Sequence, residues 1–128
     1  MNGKLTTLER IMVQHAHPVK FVLEVIGIIW GTYFLWHQNV TNALLFGIGL
    51  PLVGTLAAWG HDEDKLAKSM LGKIMLVHAD PVNLFFQVVG LLVMISGIYG
   101  HMTEMTLWGI TIVVFGHIWG WGRVGREV

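Results

Sequence analysis

Arg10–Gly27 reads RIMVQHAHPVKFVLEVIG, and Lys73–Gly90 reads KIMLVHADPVNLFFQVVG. The two stretches align without a gap. Ile11 meets Ile74, Met12 meets Met75, His15 meets His78, Pro18 meets Pro81 and Gly27 meets Gly90. Further along, Phe46-Gly47 matches Trp108-Gly109, Gly54 matches Gly116, and Trp59-Gly60 matches Trp121-Gly122, after an adjustment of one residue. So many coincidences at one spacing read as an internal duplication. Residues 1–64 then form one unit and 65–128 a second.

Each unit holds two apolar runs. They are Val19–Trp36 and Asn42–Gly60 in the first, and Val82–Tyr99 and Met105–Gly122 in the second. A helix crosses the hydrocarbon core with roughly 20 mostly apolar residues. The chain has 128 residues, 54% of them hydrophobic and only 12% charged. Soluble domains carry about 25% charged residues. The expected fold is an all-α membrane protein with four transmembrane helices, arranged as two tandem parallel two-helix repeats. Two spans per unit is an even number, so both units enter from the same side, and inverted repeats are excluded. Pro51 interrupts the second run, as membrane helices allow when neighbours satisfy the freed carbonyl. Most tryptophans fall near the ends of the runs, where they suit the interfaces. The glycines fit close helix packing.

Before each proline lies a mixed segment, Leu8–Gln14 or Leu66–Val77, read as a short amphipathic helix on the membrane surface with its basic side towards lipid phosphates. Pro18 and Pro81 restart the chain as first-turn residues of the spanning helices. All eight lysines and arginines fall in the N-terminal region, the central linker or the C-terminal tail. The positive-inside rule places both termini and the linker in the cytoplasm, and the expected location is a bacterial inner membrane. No cleavable signal is read before the first apolar run, which is expected to serve as the insertion signal. There is no cysteine, hence no disulfide framework and no thiolate chemistry. Net charge is zero, so no nucleic-acid partner is implied.

Ionisable groups inside a span are costly and point to function. Glu24 lies about 9 Å below Pro18 at 1.5 Å per residue, and Gln87 is its neutral counterpart in the second unit. Both can also serve as interhelical hydrogen-bonding glue. His15 and His78 are equivalent at the two corners. His61 and His117 lie near the cytoplasmic ends of the second and fourth runs and align instead with Arg123 and Thr55. Imidazole is the commonest protein metal ligand, and a carboxylate can complete a site. His15, His78, His117 and Glu24, with His61, form the candidate metal set, for iron or zinc; haem on two axial histidines is a variant. No HxxxH spacing fixes the geometry, and His15 and His78 as helix-corner caps are the plainer reading. His37 and His101 belong to the opposite loops. His17 is Asp80 in the second unit, which sets it outside a symmetric site.

QHAHPVKFVLEVIG, and more closely HADPVNLFFQVVG, resembles the HxxPxN…HxxG opening of a family of small membrane proteins that includes the fungal 2-hydroxy fatty acid dioxygenase. Gly60-His61 and Gly116-His117 resemble the family's later Gly-His pair. The resemblance implies an iron-dependent enzyme acting on lipid acyl chains. His15 and His78 would match its first histidine, and His61 and His117 the Gly-His histidine. The second motif histidine is Glu24 in one unit and Gln87 in the other. The family's segment after Gly-His is absent, and a duplication is not expected of that family.

Three functions follow as expectations. The first is a metal-dependent membrane enzyme on a lipid-like substrate at the cytoplasmic interface. The second is a small transporter or channel using Glu24; four helices rarely enclose a pathway, so it requires a homo-oligomer. The third is a non-catalytic scaffold or accessory subunit in contact with lipid or a partner.

Overall fold

The structure is a computed structural model that describes residues 4–127, with side chains described as far as Gly122. Among these residues every regular element is helical. The chain runs α1 (Thr7–Gln14), α2 (Pro18–Trp36), α3 (Val40–Leu44), a π-helical turn (Leu45–Gly49), α4 (Leu50–Ala58), α5 (Glu63–Lys68), α6 (Met70–Val77), α7 (Pro81–Tyr99) and α8 (Thr103–Glu127). Helix α3, the π turn and α4 make one continuous rod over Val40–Ala58. That rod, α2 and α7 are each 19 residues long and apolar enough to cross a membrane. Helix α8 is longer, but its glycines, tryptophans and His117 dilute its apolar character, and it is not among those three.

Local chemistry sets the boundaries. Thr6 and Glu9 form a reciprocal capping box: the Thr6 N–H donates to Glu9 Oε2 at 2.7 Å, and the Glu9 N–H to Thr6 Oγ1 at 3.2 Å. Asp80 caps α7, its Oδ1 accepting from the Val82 and Asn83 amides at 2.9 and 3.0 Å. Pro51 cannot donate to the carbonyl of Gly47, and the turn just before it is wound as π helix. Both short turns opposite the α2 and α7 N-termini hold a residue in the left-handed region, Gln38 and His101, each at φ 54°.

The segment 66–77 differs from the single surface helix read from sequence. Ser69 is extended, ends α5 and begins α6. Its hydroxyl accepts from the Gly72 amide at 2.9 Å, so a capped new helix replaces continuation of the old one.

Helix α2 packs antiparallel on the α3–α4 rod, and α7 packs on α8 along the most extensive seam in the molecule. The two hairpins meet through α2 and α7, and the short helices α1 and α6 pack together across the charged end. Backbones approach closely where glycines stand. A Cβ on Gly27 would meet the Phe46 carbonyl at 2.6 Å, and one on Gly109 would meet Met94 Cα at 2.6 Å. The buried core is small, and Leu56, Ile28 and Trp59 are 71, 66 and 79% exposed. A chain that turns its large apolar side chains outward along three long helices matches an integral membrane protein, whose surrounding solvent is hydrocarbon.

Candidate functional site

Polar side chains collect at the end where α1 and α6 turn into α2 and α7. His15 ends α1 and His78 ends α6, so both occupy the helix corners that the sequence assigned them. Because α1 packs on α6 and α2 on α7, the two corners adjoin.

In the first half, His15 Nδ1–H donates to Glu24 Oε1 at 2.6 Å. Lys20 Nζ lies 3.9 Å from the same oxygen. In the sequence Lys20 is one of eight cations, at the second position of the first apolar run. It is 4% exposed, its backbone and stem pressed on α4, where a Cβ on Gly54 would meet Lys20 Cα at 2.9 Å.

In the second half the equivalent positions are neutral. Asn83, the counterpart of Lys20, is fully buried and donates through Nδ2 to the Val77 carbonyl at 3.0 Å. A Cβ on Gly116, the counterpart of Gly54, would meet Asn83 Oδ1 at 3.0 Å. Gln87 Nε2 lies 3.0 Å from Asn83 Oδ1 and 2.7 Å from His117 Nδ1. The ring of His117 faces that of His78, Nε2 to Nε2, at 2.9 Å. His78 Nδ1 lies 3.2 Å from the Ile74 carbonyl, and His117 Nδ1 lies 2.9 Å from the Val113 carbonyl.

No proton placement on two neutral rings satisfies every contact, and the one that keeps the most leaves the Val113 carbonyl facing an unprotonated His117 Nδ1. Gln87 donates to His117 Nδ1, His117 Nε2–H donates to His78 Nε2, and His78 Nδ1–H donates to the Ile74 carbonyl. Burial is the main force holding His78 below the ordinary imidazole pKa. His117 and His15 add to it, against the Ile74 carbonyl, which acts the other way.

His61 does not join that pair. Its Nε2 lies 3.1 Å from Nε2 of His17, with the rings edge to face. Comparing the halves hid this pair. His17 and Asp80 both precede the helix-starting proline, but Asp80 caps its helix and His17 makes no capping bond. The imidazole reaches across to the end of α4 instead. His37 and His101 are exposed at the opposite end, against Tyr33 and Trp36.

The candidate metal set is therefore divided into His15–Glu24, His78–His117 and His61–His17. Among the described residues, no three histidines or carboxylates are gathered as a metal-binding group. The buried Lys20 and Asn83 and the His17–His61 pair were missed from sequence. The available signal was that Lys20 aligns with Asn83, and Gly54 with Gly116, in the two similar stretches of sequence. Compared with known proteins, the chain matches no family model, no curated protein and no solved structure.

Proposed function

We propose that this chain is a metal-dependent membrane enzyme acting on a lipid-like substrate at the cytoplasmic interface, with His78 and His117 holding the metal, iron or zinc. The observation that carries the reading is the pair of facing Nε2 atoms at 2.9 Å, each ring having its Nδ1 on a backbone carbonyl one turn back. Two imidazoles bound to one metal at about 2.0–2.1 Å place their nitrogens about 3.0 Å apart at right angles and about 3.4 Å apart in a tetrahedron. A histidine that ligates through one nitrogen usually donates the other N–H to a carbonyl or carboxylate. His78 meets that condition on the Ile74 carbonyl, and His117 meets it on the Val113 carbonyl once Gln87 Nε2 moves off His117 Nδ1. The third donor would come from the adjoining His15–Glu24 corner. A bound iron or zinc would supply Lewis-acid or redox chemistry at headgroup depth. The Val113 carbonyl would hold the His117 ring, and Glu24 fixes the proton of His15 on Nδ1.

The reading includes four spans, with α8 as the fourth, and two tandem units. The repeat is supported by paired features: two 19-residue helices opened by proline, two turns at φ 54°, and Lys20 and Asn83 under equivalent glycines. The resemblance to the HxxPxN family supports a lipid substrate, and all eight cationic residues on one side support cytoplasmic termini.

Metal analysis of the purified protein tests the site. Stoichiometric iron or zinc is expected, lost in His78→Ala and His117→Ala and kept in His37→Ala. Protein that carries neither metal, or metal indifferent to both substitutions, refutes it. Lipid extracts incubated with the loaded protein then reveal turnover by mass spectrometry.

The Lys20–Glu24 pair, with Lys20 buried and Glu24 partly exposed, favours a second reading, an ion-coupled carrier assembled from two or more copies. Proteoliposome flux that ignores Glu24→Gln would remove it.

A further inference from the structure

A cleft of about 610 Å³ opens beside the α1–α2 corner, away from the His78–His117 pair. Pro18, Val19 and Leu66 supply its apolar wall, and His17, His61 and Lys65 its polar part. Two other polar residues on its edge are already committed. Asp62 Oδ1 accepts from the Asp64 and Lys65 amides at 3.1 and 3.2 Å. The Ser69 hydroxyl donates to the Leu66 carbonyl at 2.6 Å and accepts from the Gly72 amide. The adjacent carboxylate, Glu63, is held by Arg10 at 2.8 Å and by Gln14 at 3.3 Å. Lys65 is exposed and has no ion-pair partner among the described residues.

The histidine pair has a defined polarity. His17 is 6% exposed, and its Nδ1 is buried without a hydrogen-bond partner among the described residues. A proton on Nδ1 would be a buried N–H with no acceptor, which native structures rarely hold. A proton on Nε2 donates to His61 Nε2 at 3.1 Å. His61 therefore accepts at Nε2 and carries its own proton on Nδ1, on the opposite side of its exposed ring. The rim then offers one ammonium and one imidazole N–H.

We propose that this cleft binds the phosphate group of an anionic membrane phospholipid. Lys65 and the His61 Nδ1–H are the donors, and Pro18, Val19 and Leu66 cover the glycerol and first acyl methylenes. Its place in the fold selects a lipid over a soluble anion. Pro18 and Val19 form the first turn of a helix able to span the bilayer, Val19 is 49% exposed beside the cleft, and the wall is apolar. The site stands apart from the metal pair and does not rest on it.

The test is native mass spectrometry and thermal unfolding of the full chain in nanodiscs containing phosphatidylglycerol or only phosphatidylcholine, at pH 8. Phosphatidylglycerol is expected to stay bound and to raise the melting temperature. Lys65→Ala should weaken its retention about five-fold, the share of one interfacial lysine. His61→Ala, which removes a donor rather than a lysine, should weaken retention about ten-fold, as a lost hydrogen bond to a charged group does. Lys68→Ala, outside the cleft, should leave the number of retained lipids unchanged, and circular dichroism checks that each variant is helical. Equal retention of both lipids, or indifference to His61→Ala, overturns the proposal in favour of general surface charge. The same melting shift from inorganic phosphate overturns it in favour of a free anion.

Discussion

Replacing Glu24 by glutamine keeps its shape and removes its charge, while Lys20 stays buried behind it. Lys20 is 4% exposed, its stem is fixed against Gly54, and its ammonium is 3.9 Å from Glu24 Oε1. At that distance two unit charges attract by about 4 kcal/mol at an effective dielectric of about 20. Breaking a buried pair on one side costs about 3–5 kcal/mol, because a buried charge is left uncompensated. Side-chain exposure of 16% at Glu24 argues for the lower end, so Glu24→Gln is expected to cost about 3 kcal/mol. Lys20→Met should cost less, about 1–2 kcal/mol, because His15 still donates to Glu24. The double variant repeats the neutral pairing of the second half and should recover most of the loss. Reversible unfolding in mixed micelles, read as a double-mutant cycle, gives the coupling. A Glu24→Gln cost below about 1 kcal/mol, or one unchanged when residue 20 is Met, would show that the lysine reaches water and that the pair does not hold the corner.

Gly109→Val drives its Cβ into the Met94 backbone and to 2.7 Å from the Gly90 carbonyl. It should destabilise the α7–α8 hairpin by about 3 kcal/mol. Gly49→Ala, whose Cβ meets only Leu45 at 3.9 Å, should stay within about 1 kcal/mol of the native chain by thermal unfolding; similar losses in both would refute the close seam. Both His17 and His78 are held below the ordinary imidazole value, so below about pH 6.5 the unfolded chain binds more protons than the folded one. Stability is complete above that pH and is expected to fall on acidification, less steeply in His78→Gln; a melting temperature that rises from pH 7 to pH 5 contradicts it. The chain lacks cysteine, so single cysteines report topology directly. Thr6→Cys and Ser69→Cys should label from the cytoplasm and Gln38→Cys and Met102→Cys from the other side; a cytoplasmic label at Met102→Cys would remove the four-span arrangement.

Hydropathy made the long helices legible, because a span reports itself through consecutive residues and needs no partner. The prolines at 18 and 81 gave the helix starts for the same reason. The break at Ser69 was harder to read. A single hydroxyl there chose between continuing one helix and capping another, and both choices suit the same apolar pattern. Lys20 shows the limit most clearly. Its position at the edge of a run is what a headgroup-facing lysine would have, and only the approach of α4 at Gly54 turns it inward.

Composition by itself determined that this is a helical membrane chain, and the alignment of its two similar stretches sets His15 against His78 and Glu24 against Gln87 in sequence. They could not determine which side chains meet. Glu24 belongs to His15 and Lys20, Gln87 to His117, and His61 to His17, because those contacts depend on how helices distant in sequence cross and how closely their glycines let them approach. Residues that align between the two stretches still meet different neighbours. The chemistry of each is set by what the neighbouring helix brings against it, charged in the first half and neutral in the second.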